Sequence, residues 1–344
     1  RLGSDNKLVR LLLNRARLDP KRVVFAEADQ LDVLKAAQIA YEEGIAKPIL
    51  LGRTETIKEL MVSIDFDADI PIIDPKTEEE NPRKNRYAKV YWDQRRRRGV
   101  TYYSAQRLMR ERNYFAAMMV NQGDADALIS GYSRSYPTVV KPMLELIGMA
   151  HGCTRIATTN LMMTKRGPLF LSDTSINIDP SAKDLAKIAQ MTSSVIKLFG
   201  LNPVLAMISY SNFGSSEHEK ASKIREAVSY LHRHFPDMDV DGELQTDFAL
   251  NDEMLRENFP FSKLVGKKVN SLIFPNLDSA NITYKLLKEL HEADSIGPIM
   301  MGMRKPVHIL QLGASVDEIV NMTAIAVIDA QQKEKQELEK AKKK

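Results

Sequence analysis

Apolar and polar positions along the chain alternate in a way that predicts strands and helices in turn. Leucines at helical spacing predict a helix over Asp5–Arg17, and a buried strand follows at Arg22–Glu27. A helix at Leu34–Glu43 and a strand at Pro48–Gly52 come next. Further strand-like runs lie at Asp126–Ser130, Pro168–Ser172, Val204–Tyr210, Ser271–Phe274 and Val307–Leu310. Helical segments separate most of these strands, which predicts an α/β fold with mainly parallel sheets and helices on both faces.

Small polar loops directly follow four of the predicted strands. These loops are Gly131–Ser135, Ser211–Ser216, Asn276–Asn281 and Gln311–Ser315. In open α/β sheets ligands bind at the carboxyl ends of strands, where the N–H groups of helix N-termini favour anions such as phosphate. In any single loop, capping a helix is the commoner role of Ser and Asn. Four such loops in one chain favour a shared anion-binding cleft.

Other common ligand-binding and catalytic patterns are absent from the sequence. Neither Gly-x-x-x-x-Gly-Lys-Ser/Thr nor Gly-x-Gly-x-x-Gly occurs, which disfavours a P-loop and a standard dinucleotide fold. Gly-x-Ser-x-Gly, the nucleophile motif of many hydrolases, is also missing. Cys pairs and spaced His clusters are lacking, so no zinc site is expected.

The charge and composition of the chain bear on its partners and its location. The net charge of +4 in 344 residues, with a basic run at Arg95–Arg98, is too modest to indicate nucleic-acid binding. Apolar runs are strand-sized, far below the roughly 20 residues of a membrane-spanning helix. Cys153 is the sole cysteine, so no internal disulfide forms and a reducing, cytoplasmic location is expected. The chain begins at Arg1 rather than Met, and we expect it to be part of a longer polypeptide.

Several segments of the sequence together carry a family resemblance. They are Ser209–Ser215, Asp241–Asp247, Ile273–Leu277, Asn281–Lys285, Gly297–Gly302, Lys305–Pro306 and Gly313–Val320. With the intervening sequence, from about Arg22 to Ala330, they resemble the phosphate acetyltransferase and butyryltransferase family in the family's order. Leu2–Arg10, Pro20–Glu27 and His308–Met322 more narrowly resemble the phosphotransacetylase-like C-terminal region of hybrid NADP-dependent malic enzymes.

The resemblance implies a specific architecture and role. It implies two αβα three-layer domains with an interdomain cleft: residues 1–152 plus 305–344 as domain I and 153–304 as domain II, through which members dimerise. It also implies that acetyl-CoA binds as an allosteric effector, that this region holds no cofactor, and that a covalently attached N-terminal malic enzyme portion holds NADP and a divalent metal.

The resemblance places the family's catalytic motif at Ile309–Ser315. In the family, the thiol of coenzyme A attacks acetyl phosphate, which requires a base, a cationic anchor and oxyanion donors. The family motif Asp-Leu-Ser-Arg-Gly-Cys-Ser is altered here: Gln311 replaces the serine and Leu312 replaces the arginine. Glu318 keeps an acid at the family's Asp position, but Ser315-Val-Asp-Glu318 is also a helix capping box. We therefore expect defective transferase chemistry; the alternatives are an active phosphate acetyltransferase and a purely dimerising scaffold.

The ligand-binding residues are also implied by the resemblance. Arg95 and Lys141 occupy positions where family arginines contact substrate, although Arg95 also fits a solvated basic turn. Ser133 and Arg134 lie in a substrate-binding loop, where Arg134 departs from the smaller or neutral residues of the family. The remaining candidates are Ser211, Gly214, Ser215, Asn281, Tyr284, Lys305 and Gln311.

Overall fold

The computed structural model describes residues 7–290 and 294–342. The chain divides into two compact units. Domain I comprises residues 7–151 and 303–342 of the described chain, and domain II comprises 152–290 and 294–302. Each unit is an α/β domain built on one mainly parallel sheet, which confirms the predicted fold class. The predicted residues Asp5 and Asn6 lie outside the described residues.

The first part of domain I alternates between helices and strands. Its elements are α1 (Lys7–Arg17), β1 (Lys21–Phe25), α2 (Leu31–Glu42), β2 (Ala46–Leu51), α3 (Thr54–Ser63), β3 (Ile72–Ile73), α4 (Asn81–Arg95), a 3₁₀ turn (Arg96–Arg98), α5 (Tyr102–Leu108), α6 (Arg112–Gln122), β4 (Ala127–Ser130) and α7 (Tyr136–Leu146).

Domain II follows with an antiparallel hairpin and then alternating elements. Its elements are β5 (Ala157–Thr164), β6 (Gly167–Ser172), α8 (Ala182–Leu198), β7 (Val204–Ile208), α9 (Glu219–His234), β8 (Asp239–Leu244), α10 (Thr246–Leu250), α11 (Asp252–Asn258), β9 (Ser271–Ile273), α12 (Leu277–Glu289) and β10 (Asp294–Met301). The chain then returns to domain I with β11 (Val307–Ile309) and α13 (Val316–Lys342).

The sheet of domain I is parallel throughout, in the order β11-β4-β1-β2-β3. The register aligns Phe25 with Ile129 and Ile309 with Ser130, so β1, β4 and β11 end side by side. Helices α1, α2 and α13 pack together against the sheet, and α4, α6 and α7 form a second group. The loops that follow these three strands therefore lie at one edge of the sheet.

The sheet of domain II has the order β10-β5-β6-β9-β7-β8. The run from β6 to β8 is parallel, whereas β5 pairs antiparallel with both β6 and β10. Helices α8 and α9 pack together against this sheet, where the rings of Phe170 and Phe199 lie 5.3 Å apart. Leu169 and Leu171, which flank Phe170, belong to a separate hydrophobic cluster with residues of α10, α11 and α12. Successive side chains of β6 therefore pack on opposite faces of the sheet, as expected for a strand that is buried on both faces.

The predicted strands are found with shifts of one or two residues at their ends. Within the described residues, four strands were not predicted: β3, β5, β8 and β10. In the described part of the chain no helix combines the length and apolar character needed to cross a bilayer.

Candidate functional site

A buried carboxylate holds the loop that follows β4. Glu27, just beyond β1, is only 1% exposed. Its Oε2 accepts hydrogen bonds from the backbone N–H groups of Gly131 and Tyr132, both at 2.7 Å. Its Oε1 accepts from the backbone N–H of Ser133 at 3.0 Å and from the Ser133 hydroxyl at 2.5 Å. The predicted ligand residue Ser133 therefore uses its hydroxyl hydrogen inside the protein, and hydrogen bonds to Glu27 fix the shape of the loop.

The loop that follows β11 lies directly beside this loop. The N–H of Leu310 donates to the carbonyl of Ser130 at 2.7 Å, and the N–H of Gly313 donates to that of Tyr132 at 3.2 Å. Gly131 has φ +102°, and a Cβ there would meet Ile309 Cγ2 at 2.7 Å, so only glycine permits this approach. Hydrogen bonding thus brings the Ser133–Arg134 loop and the Gln311–Leu312 loop together at one edge of domain I.

The two loops differ in what their side chains offer a ligand. Arg134 is exposed, and no ion pair or hydrogen bond joins its side chain to another described residue. Leu312 is 67% exposed and carries neither a charge nor a hydrogen-bond donor on its side chain. Arg134 is therefore a cation that no described residue neutralises, whereas the tip of the neighbouring loop is apolar.

The acid of the altered motif acts as a helix cap. The backbone N–H of Ser315 donates to Glu318 Oε2 at 2.8 Å, and the N–H of Glu318 donates to the Ser315 hydroxyl at 3.2 Å. This reciprocal pair is the predicted capping box at the start of α13. One oxygen of Glu318 is thereby committed to the helix terminus.

Arg95 and Lys141 lie on helices of domain I rather than on these loops. Arg95 ends α4, and its Nη2 lies 3.3 Å from Oε1 of Glu145 on α7. Lys141 is exposed on α7, one helical turn before Glu145, and no ion pair joins it to another described residue. The 3₁₀ turn of Arg96–Arg98 is exposed, so the solvated basic turn that we considered for Arg95 begins one residue later.

Lys305 is not part of this arrangement. It precedes β11, whereas Gln311 follows it, so the two residues lie toward opposite ends of the same strand. Its Nζ forms an ion pair with Glu337 on α13 at 3.2 Å. The assignment of Lys305 to the same site as Gln311 therefore has no support from its position.

Domain II has its own polar loop, which also surrounds a buried carboxylate. Glu243 on β8 has a fully buried side chain, and its Oε1 accepts from the Ser211 hydroxyl and the Gly214 N–H, both at 2.9 Å. The guanidinium of Arg225 on α9 donates to the same oxygen at 2.7 Å. The Ser215 hydroxyl lies 2.9 Å from that of Ser211. The predicted Ser211, Gly214 and Ser215 are thus brought together.

The other two candidates in domain II have different surroundings. Asn281 on α12 donates from its amide to the carbonyl of Thr174, just beyond β6, at 3.0 Å. Tyr284 is 2% exposed within the hydrophobic cluster under α12. Its ring is a core component, and its role as a ligand contact stays a prediction. Within residues 7–290 and 294–342, no group of three or more His, Cys, Asp or Glu side chains is arranged to hold a metal ion.

Comparison with known proteins identifies the family. The family model described as phosphate acetyl/butaryl transferase matches residues 7–327. The chain belongs to this family. A phosphotransacetylase from Streptococcus pyogenes has a similar structure, with a TM-score of 0.86, 33% identity and coverage of 94% of this chain and 98% of that one.

Two kinds of curated relative share this family region. The NADP-dependent malic enzyme of Salmonella typhimurium is 37% identical over 95% of this chain but only 43% of its own length. The phosphate acetyltransferase of Thermoanaerobacterium thermosaccharolyticum is 34% identical over 94% of this chain and 99% of its own length. The chain therefore spans less than half of the malic enzymes that it matches and nearly all of that transferase.

Several polar residues of this family member were not predicted from the sequence. Glu27, Glu145 and Glu243 each bind groups of a predicted ligand residue. Asp29 forms a two-pronged ion pair with Arg112, with N–O distances of 2.8 and 3.0 Å. Burial by itself raises the pKa of Asp29, but the Arg112 guanidinium outweighs it and lowers that pKa. The one available signal was position, since Glu27 ends a predicted strand and Asp29 lies two residues beyond it.

Proposed function

We propose that this chain is the acyl-CoA-binding regulatory and oligomerising region of an NADP-dependent malic enzyme, with acetyl-CoA as an allosteric effector. The coverage of its relatives supports this assignment, because the chain matches 43% of the length of the Salmonella typhimurium malic enzyme. NADP and a divalent metal would then bind in the attached malic enzyme portion. Oligomerisation through domain II and a cytoplasmic location belong to the same proposal.

The cations of domain I support binding of an anionic ligand such as an acyl-CoA. Arg134 and Lys141 are exposed, and neither is joined by an ion pair to another described residue. Arg134 lies in a loop that Glu27 holds in place, so binding a ligand there would require little ordering of the backbone. Arginine suits phosphate because its planar guanidinium forms paired hydrogen bonds.

The side chain of Leu312 is the observation that carries the proposal of defective chemistry. It lies 67% exposed on the loop after β11, at the position where the family motif has an arginine. An aliphatic side chain cannot stabilise the charge that develops during acyl transfer, and losing one such donor costs roughly 10²–10³ in rate. A site built this way would hold an acyl-CoA without converting it.

Allosteric control adds a requirement beyond binding. Acetyl-CoA can change malate decarboxylation only if it binds two states of the assembled enzyme with different affinities. Reciprocity then predicts that ligands of the malic enzyme portion change the affinity for acetyl-CoA by the same factor.

Calorimetric titration of the chain with acetyl-CoA tests the proposal. We expect saturable binding that Arg134→Gln weakens about threefold to tenfold, since a charge-assisted contact would be lost. Arg10→Gln is the matched control, because Arg10 is an exposed cation on α1 outside the proposed site. An absence of heat with millimolar acetyl-CoA would contradict the proposal.

An active phosphate acetyltransferase is the second candidate. The relative from Thermoanaerobacterium thermosaccharolyticum favours it, because that phosphate acetyltransferase aligns over 99% of its length. Acetyl-CoA formation from acetyl phosphate and coenzyme A would then proceed at a clear rate and fall in Gln311→Ala. A pure scaffold, the third candidate, would self-associate in ultracentrifugation and bind no CoA ester.

A further inference from the structure

A polar cluster joins three helices of domain I around Glu145. Oε2 of Glu145 on α7 accepts hydrogen bonds from the hydroxyl of Tyr91 on α4 at 3.1 Å and of Tyr114 on α6 at 2.8 Å. The two tyrosine rings meet edge to face, with centroids 5.9 Å apart. Burial and the Glu145 carboxylate raise the pKa values of both tyrosines, so both hydroxyls remain neutral donors. Glu145 is thus anchored through one oxygen.

The other oxygen of Glu145 forms one long contact with the Arg95 guanidinium and leaves its Nε without a hydrogen bond. Nη2 of Arg95 lies 3.3 Å from Oε1, longer than the 2.7–2.9 Å typical of charge-assisted hydrogen bonds. Nε of Arg95 is buried and has no hydrogen-bond partner among the described residues. A buried donor without a partner is unfavourable, because its lost hydration is not replaced. The Nε–H group of Arg95 could therefore gain a hydrogen bond if the guanidinium moved to an anionic ligand.

A second cation lies on the same side of α7. Lys141 precedes Glu145 by four residues, which places the two side chains on neighbouring turns of one face. Lys141 is exposed, and no ion pair joins it to another described residue. One carboxylate therefore faces two positive charges, which leaves a net positive charge to attract an anion.

We propose that Glu145 is a built-in competitor for Arg95, so that it sets the affinity and charge selectivity of the anion site to which Arg95 and Lys141 contribute. An arriving phosphate must displace the Glu145 carboxylate and the neighbouring Tyr91 hydroxyl from Arg95, and it gains the Nε and Nη donors of Arg95 together with Lys141. A doubly charged phosphate outcompetes the carboxylate more readily than a singly charged group does. Tyr91 and Tyr114 keep Glu145 hydrogen-bonded after Arg95 leaves.

The choice of ligand rests on the proposed function. The direction in which anion affinity changes when Glu145 loses its charge distinguishes a competitor from a structural residue. If Glu145 is a competitor, removing its charge strengthens anion binding. If Glu145 instead positions Arg95 for the ligand, removing its charge weakens binding. Gln at position 145 retains a side-chain oxygen that can accept from both tyrosines, so the hydrogen bonds that join α7 to α4 and α6 are preserved.

The experiment is calorimetric titration of the full chain with acetyl-CoA and, separately, with inorganic pyrophosphate. We expect Glu145→Gln to bind both ligands about threefold to tenfold more tightly, because the ligand no longer has to displace a partly buried ion pair. Glu59→Gln, which removes an exposed charge on α3, should leave both affinities unchanged. In an Arg95→Gln background, Glu145→Gln should strengthen binding by a clearly smaller factor, because the competed guanidinium is absent and only the charge of Glu145 near Lys141 is removed.

The outcomes separate this inference from the proposed function. Equal or weaker binding by Glu145→Gln would overturn the inference while leaving acetyl-CoA as the ligand. Tighter pyrophosphate binding without any acetyl-CoA binding would support the inference and refute the proposed function. A wild-type chain and a variant that bind neither ligand would refute both. If Glu145→Gln fails to fold, Glu145→Asp, whose shorter side chain withdraws from Arg95, is expected to give the same gain.

Discussion

The replacement Glu27→Gln tests whether one buried carboxylate determines the shape of the loop after β4. Glu27 accepts four hydrogen bonds, two from Gly131 and Tyr132 on one oxygen and two from Ser133 on the other. Glutamine retains one oxygen and presents N–H groups where the other was. If these groups face Gly131 and Tyr132, two backbone donors lose their acceptor; if they face Ser133, its hydroxyl can rotate to accept and one backbone donor is left. At about 1–3 kcal/mol for each unsatisfied donor, domain I should lose roughly 1–6 kcal/mol of unfolding free energy.

The single tryptophan of the chain provides the assay. Trp92 lies on α4, so its fluorescence during urea unfolding reports on domain I. Asp32→Asn is the control, since Asp32 accepts one hydrogen bond, from the Tyr132 hydroxyl of the same loop at 2.7 Å, and asparagine can still accept it. We expect the control to cost under about 1 kcal/mol. A Glu27→Gln protein as stable as the control would refute the argument that this carboxylate organises the loop.

Three further predictions concern the same domain. Gly131→Ala should cost at least about 2 kcal/mol in urea unfolding, because the added Cβ would meet Ile309 Cγ2 at 2.7 Å; a loss below about 0.5 kcal/mol would contradict the close approach. Burial lowers the pKa of His308 to about 4 from 6.5, so the unfolded chain takes up the proton first and stability should fall by about 3 kcal/mol as pH drops through that interval; an unchanged pH slope in His308→Gln would oppose this assignment. Leu312→Arg should raise acetyl-CoA formation from acetyl phosphate by at least about tenfold if the missing cation limits transfer, and a coupled assay showing no gain would place the defect elsewhere.

The sequence predicted strands that are largely apolar, and it missed the short β3 as well as strands with buried polar groups such as β8. Val23, Val24 and Phe25 of β1 are fully buried, so this strand is evident from composition alone. In contrast, β8 carries acidic residues that resemble an exposed loop until their partners are known. Asp241 accepts from the hydroxyl of Ser262 at 2.9 Å and is 6% exposed. Hydropathy cannot identify such a strand, because the compensating donors lie elsewhere in the chain.

The candidate loops were predictable, but the groups that hold them were not. Strand ends followed by small polar residues directed attention to Gly131 and Ser211. The hydrogen bond from Gly131 to Glu27 spans 104 residues, a separation over which local patterns carry no information. Tyr284 and Lys305 were assigned because they lie within segments that resemble the family. Such a resemblance gives no indication that a helix face points into the core or that a residue precedes its strand rather than follows it.

The two buried glutamates explain how a binding loop could persist after its chemistry is lost. Glu27 and Glu243 each fix a predicted ligand loop through backbone N–H groups, and these bonds contribute to folding whether or not a reaction occurs. Leu312, by contrast, is exposed and makes no comparable contribution, so a change from arginine there would remove a charge without disturbing the loops. The atoms that shape the site and the atoms that would perform acyl transfer are therefore separable. A domain of this kind can lose catalysis through one surface side chain and retain a preorganised surface for the same ligand.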